Sequence, residues 1–334
     1  MTLTVVIPTA GRAHLLRDAL ASIARQTALR RVSCIHVSEN AGYPESEMVC
    51  REFPELPIHY TLRAPPLTSA AHFVALFKEV ETPFTAMLHD DDWWAPHHLE
   101  AAMAGLENDA SSSACYSGFF EPHGSSAPLY CENNLMCWAA AGFPPLAGTW
   151  TLPLIQTALA SLPGTPLRYS TLVARSAALK ASTHIFDLGN PFDSDRMLGI
   201  ALSLHGNVVY QPVPSTFIRL HSGQDARNYD DAATYRHMHC TTRWMLDLVR
   251  RQGGDMQTLL AERIATCPPI QKAELLQRLR RPVCIDGLRE ENCIPPELDR
   301  FDRTWRRLRV GRVLRDWLPP AITNLARRLA HKQS

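Results

Sequence analysis

Along the first hundred residues, short apolar runs alternate with amphipathic stretches. "LTVVIP" (3–8) is an aliphatic, β-branched run closed by Pro, the pattern of a strand buried on both faces of a parallel sheet. After the turn "TAGR", the segment "AHLLRDALASIARQT" places Leu15, Leu16, Ala19, Leu20 and Ile23 on one side of a helix. "RVSCIHVS" predicts a second strand, ending at Glu39, Asn40 and Gly42. A helix near 44–52, a strand over 57–63, the helix "TSAAHFVALFKEV" and the strand "PFTAML" come next. "APHHLEAAMAGLENDA" then predicts a helix with Pro at its start.

Strand and helix thus alternate four times within the first 108 residues or so. This predicts an α/β fold with a mostly parallel central sheet covered by helices. Such sheets bind ligands at the carboxyl ends of their strands. Three polar clusters fall at those ends: Thr9 to Arg12, Glu39 to Gly42, and His89 to Asp92. From 111 to 170 the text loosens into Gly, Pro, Ser and aromatic residues, predicting short strands and long loops suited to shaping a second substrate's pocket. "STLVARSAALKA" reads as a strand entering a helix, "DSDRMLGIALSLHGN" as a helix with an acidic start, and "VVYQPVP" as a strand. Beyond about 232 the pattern is helical, and no internal repeat is present. The expected organisation is an α/β domain over 1–230, changing character near 110, with a helical, basic extension over 231–334.

Composition narrows the function classes. A net charge of +1 over 334 residues makes no general claim on nucleic acid. The basic residues concentrate instead in the tail. From Phe301 to Ser334, eight Arg and one Lys face Asp302 and Asp316, a local charge of +7. They lack the aromatic interleaving that stacks on bases. Nine cysteines without a CxxC pair point to a reduced, cytoplasmic chain with neither disulfide nor zinc knuckle. The N-terminal apolar run is too short for a secretory signal, and none reaches the ~18 residues of a membrane span.

Two acidic groups carry the candidate chemistry. In "MLHDDDWW" (87–94), Asp90, Asp91 and Asp92 stand side by side, which like charges tolerate only in water or beside a cation. The residues alone leave two readings: a wet acidic turn capped by Trp93 and Trp94, or a site for a hard cation with oxygen ligands. In "FDSD", Asp193 and Asp195 open a helix, where Asp serves either as an ordinary cap or as a catalytic carboxylate.

Read in order, "TVVIPTAGRAHLLRDALASIARQT", "HVSENAG", "FTAMLHDDDWWAPHHLEAA", "FDSDRMLGIALSLHGNVVY" and "FIRLHSGQ" resemble the family 2 glycosyltransferases, over about residues 2–225. The resemblance implies the GT-A nucleotide-sugar fold and an inverting sugar transfer, with 1–230 as the catalytic domain, 1–110 its nucleotide-binding half and 111–230 its acceptor and catalytic half. It sets Pro8, Thr9, Gly11 and Arg12 against the nucleotide, and Glu39, where Asp is commoner, against base or ribose. His72 occupies the place of an asparagine near the donor. Asp90 and Asp91 fall on the nucleotide side of the family's DxD element, and Asp92 on the metal, Mn²⁺ or Mg²⁺. Counting back from Gly206 puts Asp195 at the general base, with Ser194 where the family has Glu and Asp193 as the rival. His221 would touch metal or diphosphate.

The expected partners are a nucleotide-sugar donor, a UDP-sugar first, and a glycan or lipid-linked saccharide acceptor, with no nucleic acid. The basic, apolar segment "RRLRVGRVLRDWL" adds an expected peripheral contact with the cytoplasmic face of a membrane, in keeping with polysaccharide biosynthesis for the cell envelope. The competing readings are a catalytically silent glycan-binding or scaffolding protein of the same fold, and a nucleotidyltransferase. The latter needs a Gly-rich phosphate loop, for which "PTAGRAH" is too sparse.

Overall fold

The computed structural model describes residues 2–121, 129–130, 148–164, 166–188, 193–220 and 231–317. Strands β1 (Leu3–Thr9), β2 (Val32–Glu39), β3 (Ile58–Leu62) and β4 (Phe84–Met87) interleave with helices α1 (Ala13–Ala24), α2 (Glu45–Arg51) and α3 (Ser69–Glu79). Helix α4 (His98–Asn108) follows the acidic turn. All of β1 is buried. It pairs in parallel with β2 on one side and β4 on the other, and β3 continues the parallel run beyond β2. The chain therefore moves outward from β1 to β3, then returns to the far side of β1. That reversal opens a crevice beyond the carboxyl ends of β1 and β4.

Past β4 the sheet is mixed. Its order continues through β9 (Leu172–Arg175), β6 (Ser112–Glu121), β10 (Asn207–Phe217) and β5 (Trp93–Trp94). β9 runs antiparallel to both β4 and β6, β10 lies parallel to β6, and β5 is antiparallel to β10. The short strands β7 (Leu129–Tyr130) and β8 (Trp150–Leu152) pair with β6 and β10 respectively. Apolar patterning hides two of these strands. The serines of "SSSACYSGFF" dilute the signal of β6, although Ser112 to Phe119 are all buried. β5 has only two residues, and its partners Thr216 and Phe217 are remote in sequence, so no local period encodes it. Its pairing carries the chain after Phe217 to the acidic turn.

One apolar cluster lies on each face of the sheet. Leu16, Leu20, Ile23, Leu99, Met103 and Leu106 pack on Val5, Ile7, Ile35 and Val37 on the first. The other face carries α3, α5 (Leu154–Ser161), α6 (Ser176–Ala181) and α7 (Ser194–Leu202). The C-terminal helices α8 (Asp231–Arg251), α9 (Met256–Thr266), α10 (Pro269–Leu279), α11 (Pro282–Glu290) and α12 (Pro296–Trp317) join that same cluster through Met245, Leu260, Leu279, Leu288 and Leu298. Burying each such side chain is worth about 1.5–3 kcal/mol, so these helices are bound to the sheet by a shared core. The cysteines described, Cys34, Cys50, Cys115, Cys240, Cys267, Cys284 and Cys293, are free thiols. No described helix is long and apolar enough to cross a membrane.

A buried base, His98, adds an acid-sensitive contribution to the fold's stability. His98 is fully buried, its Nδ1 2.9 Å from Ser215 Oγ and its ring stacked on Trp94 at 4.5 Å. Burial lowers its pKa to about 3. An unfolded chain takes up this proton below about pH 6.5 while the folded chain refuses it. The stability involved is present above pH 6.5 and lost as pH falls toward 3, about 2 kcal/mol of it by pH 5. Scanning calorimetry of wild type beside His98→Gln should show the difference between their midpoints shift between pH 7 and 5, wild type losing the more. An unchanged slope in that variant would assign the acid sensitivity elsewhere.

Candidate active site

The acidic turn leaves β4 at the crevice and closes on itself, the Asp92 N–H donating to the His89 carbonyl at 3.2 Å. All three carboxylates are buried, with Asp91 the most exposed at 6%. A wet turn would leave them in water, so burial decides against that reading. The Arg12 guanidinium grips Asp90 through Nε at 2.9 Å and Nη2 at 2.6 Å, and reaches Asp91 at 3.2 Å. Asp92 receives uncharged donors: the Arg219 backbone N–H at 3.0 Å on Oδ1 and the Ser170 hydroxyl at 2.5 Å on Oδ2. Three buried carboxylates side by side repel one another even with Arg12 beside two of them. Burial pushes the Asp90 pKa up to about 6 against the pull of Arg12, and lifts Asp92 well above the usual carboxylate range, with neighbouring Asp91 adding to both.

A cation would relieve this. Ligand atoms of His89, Asp91 and Asp92 all lie within 4.8 Å of one another, the one such group among the described residues. Two carboxylates and an imidazole fit a divalent cation that keeps further positions for phosphate and water. Asp92, to which the resemblance gave the metal, stands in this cluster. His221 lies outside the described residues. His89 heads the polar cluster that sequence placed at this strand end, though not as a ligand.

The first loop is built around a close contact. Gly11 has φ 68°, and a Cβ there would stand 2.6 Å from the Tyr43 ring. Only glycine fits this conformation and this space together. Behind it, Glu39 is wholly buried, its carboxylate accepting the N–H of Gly11 at 3.1 Å, the N–H of Ala41 at 2.8 Å and the Ser46 hydroxyl at 2.6 Å. It ties the loop after β1 to the loop after β2, and so holds Arg12 over the aspartates. Pro8 and Thr9 are the buried last residues of β1. His72 packs beneath the end of β2, with Nε2 2.8 Å from Ser38 Oγ, and burial lowers its pKa to about 4.

The two aspartates at the head of α7 part ways. Asp193 is 2% exposed and pairs at 2.5 Å with Arg196, itself fully buried. Arg196 also donates to the carbonyls of Ser161 at 3.2 Å and Met238 at 3.0 Å. This pair fastens α7 to α8. Burial raises the Asp193 pKa to about 6, with Arg196 opposing. Asp195 is half-buried, accepting the Arg196 N–H at 2.8 Å and pairing at 3.2 Å with Arg168, which is 38% exposed. Of the two carboxylates, Asp195 is the one that solvent and a substrate can approach.

Residues 4–134 match the family model described as glycosyl transferase family 2. The match covers 131 of the 334 residues and makes this stretch similar to that family. Among known structures, residues 1–349 of S. aureus TarS in complex with UDP-GlcNAc are similar, with a TM-score of 0.55 and 14% identity over 86% of this chain and 72% of that one. The mannosyltransferase PcManGT from Pyrobaculum calidifontis, in complex with GDP-Man and Mn²⁺, has a TM-score of 0.50 and 12% identity, covering 94% of this chain and 87% of its own. These likenesses establish the GT-A fold. No curated protein matches the sequence.

Two residues reach the candidate site from far along the chain. Ser170 sits in the short turn "RYST", and its partner Asp92 is 78 positions away. Arg219 reaches the site because β5 pairs with β10, its guanidinium lying 5.0 Å over the Trp93 ring and 2.7 Å from Asp18.

Proposed function

We propose that this chain transfers a sugar, with inversion, from a nucleotide-sugar donor to a hydroxyl of a glycan or lipid-linked saccharide. The observation that carries this reading is the buried "HDDD" turn at the crevice between β1 and β4, with ligand atoms of His89, Asp91 and Asp92 gathered within 4.8 Å. Pro8, Thr9, Gly11 and Arg12, backed by Glu39, form the nucleotide side together with Asp90 and Asp91. Asp92, with Asp91 and His89, would hold Mn²⁺ or Mg²⁺. Such a cation, when bound, offsets the charge that gathers on the departing diphosphate. The complexes of TarS with UDP-GlcNAc and of PcManGT with GDP-Man support a diphosphate sugar as donor, and a UDP-sugar is the first choice.

Asp195 takes the proton of the acceptor hydroxyl as that oxygen attacks the anomeric carbon opposite the leaving nucleotide. Asp193 is the weaker candidate, because its carboxylate is already committed to buried Arg196. A cytoplasmic protein supplied with soluble nucleotide sugars suits this chemistry.

The test is nucleotide release from UDP-, GDP- and dTDP-sugars, with Mn²⁺ or with EDTA, in an extract containing candidate acceptors. Release of one nucleotide that depends on the metal is expected and names the donor. Nucleotide binding indifferent to both Mn²⁺ and EDTA would remove the metal from the reading.

A further inference from the structure

Three consecutive residues, Arg168, Tyr169 and Ser170, each reach a different part of the site. Arg168 Nη1 lies 3.2 Å from Asp195 Oδ2. The Tyr169 ring packs 5.5 Å from the His89 ring and 5.0 Å from that of Phe73. Ser170 donates its hydroxyl proton to Asp92 Oδ2 and accepts the His89 backbone N–H at 3.0 Å. The turn is itself pinned. Trp94 Nε1–H donates to the Ser170 carbonyl at 2.6 Å, the Thr171 hydroxyl donates to the Arg168 carbonyl at 2.8 Å, and Tyr169, Ser170 and Thr171 are all buried.

Resting on the transferase reading above, we propose that this turn joins the two halves of the reaction centre: Ser170 is a positioning residue for Asp92, and Arg168 is one for Asp195. A serine hydroxyl has a single proton. Here it is directed at Asp92 by the N–H that the same oxygen accepts, so the carboxylate is held in one rotation for a cation. Hydrogen bonds to a metal-ligating group of this kind are worth about 10–100-fold in metal affinity. Arg168, two residues away on the same buried turn, holds Asp195 from the other side. A displacement at Asp92 is therefore transmitted to the base through one rigid piece of backbone.

The experiment measures Mn²⁺ affinity in the presence of UDP, by electron paramagnetic resonance of free Mn²⁺, on folded full-length protein. Ser170→Ala is expected to weaken Mn²⁺ about tenfold or more, and Ser170→Cys, which keeps the volume and a weak donor, by an intermediate amount. The cysteine variant carries the test if the alanine variant does not fold. Arg168→Gln is expected to keep the wild-type Mn²⁺ affinity while slowing nucleotide release. Wild-type affinity in the Ser170 variants, or an equal loss in Arg168→Gln, overturns the proposal and leaves the transferase reading standing. Wild-type protein that binds no Mn²⁺ with UDP overturns both.

Discussion

Asp195→Asn is expected to slow sugar transfer by about 10²–10⁴-fold, the usual worth of a general base, while leaving Mn²⁺ binding and the melting temperature at wild-type levels. The amide keeps the shape of the carboxylate and can still accept the Arg196 N–H, so the losses are proton transfer and the charge facing Arg168, whose exposed guanidinium water can solvate. Asp193→Asn is the contrasting variant. It leaves Arg196 charged and fully buried without its carboxylate. Breaking such a pair costs about 3–5 kcal/mol. Urea unfolding should show that loss, and transfer should fall with the folded fraction and no further. If Asp193→Asn stayed stable but inactive, and Asp195→Asn unstable but active, the two assignments would have to be exchanged.

Asp92→Ala is expected to abolish metal-dependent nucleotide release, on the order of 10³-fold, since several kcal/mol of leaving-group stabilisation disappear at about 1.4 kcal/mol per factor of ten. Stability should respond differently. Asp92 is buried beside Asp91, and burial and that neighbour together hold its proton affinity well above the ordinary carboxylate range. Removing one of three crowded carboxylates relieves repulsion but also removes the acceptor of the Arg219 N–H and the Ser170 hydroxyl, so gain and loss oppose and the melting temperature should change far less than activity. Calorimetry run beside the release assay separates the two effects. A variant that releases nucleotide at the wild-type rate with Mn²⁺, and not with EDTA, would move the cation to other ligands.

Much of this molecule was legible from residue order. The aliphatic run of β1, the buried stripe of α1 and the strands that end at Glu39 and Met87 stand where apolar periodicity placed them, because each is satisfied by a local pattern repeated along one face. The polar clusters at those strand ends were equally visible, and the parallel sheet rule turned them into candidate sites before any contact was known. The expected contact of Glu39 with a nucleotide is a different matter. Sequence placed the carboxylate at the right strand end, but its direction, inward to Gly11, Ala41 and Ser46, depends on how two loops meet.

What the sequence determined by itself was therefore the α/β class, the family resemblance and the list of acidic residues from which the chemistry must be drawn. Tertiary structure alone decided how those residues divide. It buried Asp193 against Arg196 and left Asp195 approachable, although only two positions separate them. It brought Arg12 to Asp90 across 78 positions and Ser170 to Asp92 across another 78. The physical reason is that secondary structure follows from neighbours along the chain, whereas the charge state and direction of a buried carboxylate follow from whatever the fold packs against it.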